Sequence, residues 1–182
     1  MKTRGVLYVH ACPPAVCPHV EWAVSSAIGV RVSMSWTAQP VSPGALRAEC
    51  VWRGSPGMAG RMAHALKAWP LLRFEVTEDP SPGNDGERIM YVPGLGVHRA
   101  TTGANGDLMV GEDQVRALLA NVVGAEGYSQ GLARLLGEES GEVARHVDHA
   151  GGVVHDDHAA RSHRAFRLQR VEVDRQIELA LR

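Results

Sequence analysis

The chain has 182 residues and a mass of 19.6 kDa, the size of one domain with room for an appendage. Apolar residues make up 45% and charged residues 21%, the balance of an ordinary globule that can bury a core without disulfides or metals. Lys+Arg 19 against Asp+Glu 20 leaves a net charge of −1 and a pI of about 6.8. That excludes the global electrostatic signature of a nucleic-acid binder or a polybasic membrane protein, so neither partner is expected.

Gly5–His10 (GVLYVH) is short, apolar and rich in strand formers, which predicts a strand. Its apolar run stops at His10, short of the roughly 7–15 residues of a signal-peptide core. No segment approaches the ~20 apolar residues of a membrane span. Three cysteines, Cys12, Cys17 and Cys50, are few and odd for a secreted disulfide scaffold. The expected location is cytoplasmic.

From Pro18, apolar residues recur at Val20, Ala23, Val24, Ala27 and Ile28, one face of an amphipathic helix. Pro18 suits its first position and Gly29 its end. Val30, Val32, Met34 and Trp36 then alternate with polar neighbours, predicting a half-buried strand. Leu46, Ala48, Cys50 and Trp52 predict another. Met58–Trp69 returns to helical spacing, and Leu72, Phe74 and Val76 alternate again. The order is β-α-β-β-α-β, which predicts an α+β, split-βαβ (ferredoxin-like) sheet with two covering helices.

Extra β-hairpins should follow at Arg88–Val92, Gly96–Thr102 and Leu108–Val110, with Asn105-Gly106 as a turn tolerating positive φ. Short C-terminal helices should carry Val115, Leu118, Leu119 and Val122, then Leu132, Leu135 and Leu136. Residues 1–137 read as a single α+β domain. Residues 138–182 differ: they hold five of nine histidines, seven arginines and one aromatic, Phe166. They read as a divergent, poorly ordered or loosely helical tail.

His10, Cys12, Cys17 and His19 fall within ten residues. Two imidazoles and two thiols suit zinc, but structural zinc sites tie together separated segments, and this is one tight loop with three prolines. No metal or cofactor is expected. Cys17, next to Pro18 at the helix start, would feel a macrodipole that favours thiolate. With His10 or His19 as base it would form a catalytic dyad. Against that stands a packed thiol with backbone-bonded histidines. Glu75, Glu78, Asp79 and Asp85 read as a solvated strand end and loop. Trp22, Trp36, Trp52 and Trp69 fall on predicted apolar faces. His149, His155, His158 and His163 could bind metal weakly, although an unstructured tail accounts for them better.

Arg4-Gly-Val-Leu-Tyr-Val-His10, Cys17-Pro-His-Val-Glu-Trp-Ala23, Leu72-Arg-Phe-Glu-Val-Thr-Glu78 and Gly106–Asp113 together resemble an actinobacterial uncharacterised family, domain of unknown function 3145. The resemblance covers residues 3–137. It implies a cytoplasmic bacterial protein with no assigned reaction, from a family often encoded near type II fatty-acid synthesis genes. The family pattern has no cysteine at the Cys12 position. Its members end sooner, with an acidic, aromatic-containing segment, so this tail has the look of a shifted reading frame.

The favoured function is a non-catalytic accessory or regulatory module that binds an unidentified protein through its sheet face or edge. The alternative is a small Cys-His enzyme acting on an acyl thioester or similar electrophile through Cys17, His10 and His19. A third reading is a small-ligand sensor with a pocket between the sheet and the Tyr91–Val110 hairpins. Oligomeric state is left open.

Overall fold

The structure, a computed structural model, describes residues 2–137. It is α+β, with an open seven-stranded antiparallel sheet and four helices. The strands are β1 (Thr3–Cys12), β2 (Thr37–Ala38), β3 (Leu46–Gly54), β4 (Arg73–Glu78), β5 (Gly86–Val92), β6 (Gly96–Thr102) and β7 (Leu108–Met109). The helices are α1 (Cys17–Ile28), α2 (Met58–Leu66), α3 (Glu112–Asn121) and α4 (Ala125–Leu136). The sheet order is β2-β3-β1-β4-β5-β6-β7. The expectations for residues 138–182 lie outside the described residues.

Alternation along each strand decides which side chains are buried. Leu7, Val9, Trp52, Phe74, Val76 and Ile89 share one sheet face and pack against Val20, Ala23 and Val24 of α1 and Met58, Met62 and Leu66 of α2. α1 has the expected bounds: Pro18 lies in its first turn, and Gly29 closes it at φ 78° with its N–H donating to the Ser25 carbonyl. Trp52 is buried, and Trp36 and Trp69 lie partly buried against the core. Trp22 corrects the sequence reading, because it projects from α1 and is 71% exposed.

The second predicted strand is also corrected. Residues 30–36 join no ladder, and only Thr37–Ala38 pairs with β3. Side chains of α1 take up the backbone donors instead. Val32 N–H donates to Ser25 Oγ at 2.8 Å, and Met34 N–H to Glu21 Oε1 at 2.9 Å. The same Glu21 oxygen accepts the Trp36 indole N–H at 2.9 Å. With its donors satisfied by the helix, the segment runs alongside α1 and its alternation reflects packing there.

The later hairpins lie where expected. In the β6–β7 turn only Gly106 takes positive φ (82°), while Asn105 stays at negative φ. The Gly106 N–H donates to the Gly103 carbonyl and the Gly103 N–H to the Asp107 carbonyl. This longer turn needs only one left-handed residue. α3 and α4 pack on each other and reach the opposite sheet face. A Cβ added to Gly137, the C-cap of α4, would meet His98 Nε2 at 2.7 Å and Met90 Cε at 2.8 Å. Leu119 and Leu132 on this helix pair, and Val123 in the link between them, remain exposed.

Candidate functional site

The local shape of β1 decides where the predicted site residues go. Val9 pairs with Ala48 and Cys12 with Leu46, so β1 carries one residue more than β3 over that stretch. Against β4 the same shift falls between Val9 and Ala11. This β-bulge at His10–Ala11 moves Cys12 onto the core face, beside Leu7 and Val9. His10 stays on the other face, stacked on Tyr8 with ring centroids 6.3 Å apart and planes at 13°.

Cys17, the first residue of α1, meets Cys12 rather than a histidine. Its thiol donates to Cys12 Sγ at 3.5 Å and contacts the Pro13 carbonyl at 3.6 Å. Both cysteines are free and buried. Burial pushes the Cys12 thiol up to about 12, with the bond from Cys17 adding to the shift. Burial also raises the Cys17 thiol, outweighing the hydrogen bond that favours its thiolate. Burial thus opposes the helix-dipole effect at this thiol. His19 is exposed on α1 and stacks on Trp69 at 6.3 Å. Among the described residues, no three His, Cys, Asp or Glu side chains come together as metal ligands.

Strand register assembles a different constellation on the face away from α1 and α2. Tyr8 pairs with Glu49 on one side and Glu75 on the other. Glu75 pairs with Met90, and Met90 with His98, completing a rung across five strands. Arg88 Nε donates to Glu75 Oε1 at 2.7 Å, and His10 Nε2 lies 4.0 Å from Glu75 Oε2. Burial raises the Tyr8 hydroxyl from 10.0 to about 12, reinforced by Glu49 and Glu75. It therefore stays a neutral hydrogen-bond donor at physiological pH. His98 is shifted down by burial and by Arg88, and its Nε2 is buried without a hydrogen-bond partner.

Tyr8, Glu49, Arg88 and His98 did not stand out in the sequence, where they are ordinary outward positions of separate strands. The polar phase of each strand was visible. Only the register shows that those phases meet. The expected solvated carboxylates also part company. Glu75 is held by Arg88, Asp79 pairs with Arg4 at 2.9 Å, and Glu78 is buried at the start of α2.

A family model described as protein of unknown function (DUF3145) matches residues 6–161. The chain belongs to that family. The DUF3145 match continues past Gly137, where the sequence reading ended the resemblance. It takes in the whole Tyr8, Glu49, Glu75, Met90 and His98 rung and the Cys12–Cys17 loop. Neither the curated proteins nor the solved structures yield a match. Among the described residues, no helix is long and apolar enough to cross a membrane.

Proposed function

We propose that this DUF3145 chain is a non-catalytic accessory module that binds another protein through the β1–β3 part of the sheet face opposite α1 and α2. The order β2-β3-β1-β4, with α1 after β1 and α2 after β3, supports reading its first half as a split-βαβ unit. In such a unit the helices occupy one face and leave the other for a partner.

The observation that carries the proposal is Val51. It is 68% exposed on that face, directly opposite Val6, with Arg53 two residues away along β3, Glu49 two residues away on the other side and Arg47 beyond it. Tyr8 and the Arg88–Glu75 pair continue the surface across β1, β4 and β5. An apolar centre bordered by Tyr and Arg has the composition of an interface hot spot. The arginine excess favours a partner with an acidic rim, because complementary charge speeds encounter and fixes register. Proteins of type II fatty-acid synthesis are the first to be sought, given the family's genetic neighbourhood.

The test captures partners from the native cell with the tagged full chain, its Val51→Asp variant and its Cys17→Ala variant. A partner retained by Cys17→Ala and lost by Val51→Asp supports the module. A partner held equally by both variants places binding elsewhere and overturns the assignment to this face.

A further inference from the structure

At one end of the same sheet, β1 and β3 bring two arginines together. Arg4 and Arg53 are direct cross-strand partners and so project from the same face. Like charges directly opposite each other destabilise an antiparallel pair. Lys2 adds a third cation to the cleft that these residues line. Asp79 is the one acid in its lining among the described residues, and it is engaged by Arg4, Nε to Oδ2 at 2.9 Å. Two positive charges are left over.

The cleft has a volume of about 540 Å³, within the roughly 300–1,000 Å³ of small-molecule sites. Its floor is held in place. Asp79 N–H donates to the Arg4 carbonyl at 2.8 Å, and Thr3 Oγ1 to the Asp79 carbonyl at 3.0 Å. Ser81 and Asn84 exchange backbone hydrogen bonds at 2.9 and 2.8 Å, and Pro80 and Pro82 stiffen the same loop. The Ser81 hydroxyl is shut off from solvent without a partner, a donor unmatched in the cleft wall. A preorganised site loses less entropy when a ligand enters.

We propose that this cleft binds a phosphate-bearing small molecule. A phosphate group carries close to two negative charges and three acceptor oxygens. The charge matches the cleft's excess, and the oxygens suit the Arg53 guanidinium fork and the Lys2 ammonium. Bound there, it would relieve the Arg4–Arg53 repulsion. The cleft shares Arg53 with the proposed docking face but not Val51: Val51→Asp should leave phosphate binding intact, so either proposal can fail alone.

Calorimetric titration of the full chain at low salt, with pyrophosphate and with a nucleoside diphosphate, tests it. Saturable binding is expected, weakened at least tenfold by Arg53→Glu and also by Lys2→Glu, and unaffected by Arg47→Glu outside the cleft. Equal affinity for the two probes identifies the inorganic group as sufficient. Tighter nucleotide binding shows that the cleft walls hold an organic body. Arg53→Glu should also raise the melting temperature, because a carboxylate opposite Arg4 replaces repulsion with attraction. Lost binding therefore cannot be put down to unfolding. No saturable binding of either probe, or undiminished binding by Arg53→Glu, overturns the proposal.

Discussion

The Cys17 sulfur lies 3.5 Å from the Cys12 sulfur, and both thiols contact the Pro13 carbonyl. The β1 bulge makes this meeting possible by turning Cys12 inward, while His10 remains across the sheet with Glu75. The two thiols hydrogen-bond to each other, and burial raises both, with the Glu21 carboxylate adding to the rise at Cys17.

Iodoacetamide at neutral pH should therefore leave Cys12 and Cys17 unmodified in the folded chain and label both in denaturant, since the thiolate is the reacting form. Peptide mass mapping reads the result. Rapid native labelling of Cys17 would favour the Cys-His enzyme. Cys17→Ala should cost about 1–2 kcal/mol in urea unfolding, the loss of a small buried apolar group.

Gly5 leaves no room for a side chain. A Cβ there would stand 1.8 Å from the Thr77 carbonyl oxygen and 2.6 Å from Trp52 Cζ2. The obstacle is backbone on one side and a buried indole on the other. Gly5→Ala should destabilise by about 3 kcal/mol or more, at or beyond the upper end of ordinary overpacking. A melting temperature within a degree or two of the parent would contradict this.

Glu78 is 6% exposed and caps α2 from a distance in sequence. Its carboxylate accepts the Gly57 N–H at 2.7 Å and the Ala59 N–H at 2.9 Å. These are donors of the helix N-terminus, which lack partners within the helix and favour negative charge. Glu78→Ala should cost about 1–3 kcal/mol, the range for leaving buried donors unsatisfied. Denaturant midpoints of the two proteins measure it. An unchanged midpoint would show that the cap contributes nothing.

Tyr8 gives stability a pH dependence with a definite sign. Its hydroxyl ionises near 12 when folded, against 10.0 ordinarily. Below about pH 10 both states keep the proton, and the contribution is complete. Between 10 and 12 the unfolded chain releases the proton first, so stability falls as pH rises and is lost through the folded value. Ultraviolet titration should show one of the three tyrosines ionising late. Tyr8→Phe should remove that step and flatten the stability decline. The same late step surviving in Tyr8→Phe would assign it to another residue.

The sequence by itself determined the α+β class, the order of the principal elements, the bounds of α1 and the face that each main strand turns inward. These follow from local periodicity and capping, which a chain carries without knowing its neighbours. Residues 30–36 show where that stops: their alternation is real, yet Ser25 and Glu21 on α1 took their backbone donors and left only Thr37–Ala38 for the sheet. Glu78 looked like a solvated strand end because the helix it caps begins about twenty residues earlier. Cys12 occupied an outward position in β1 until one inserted residue reversed it. The Tyr8–Glu75–His98 rung and the Arg4–Arg53 pair exist only once the strands are in register. Register depends on pairing among distant segments, and a one-residue slip turns every later side chain to the other face. Tertiary structure therefore decided which side chains meet.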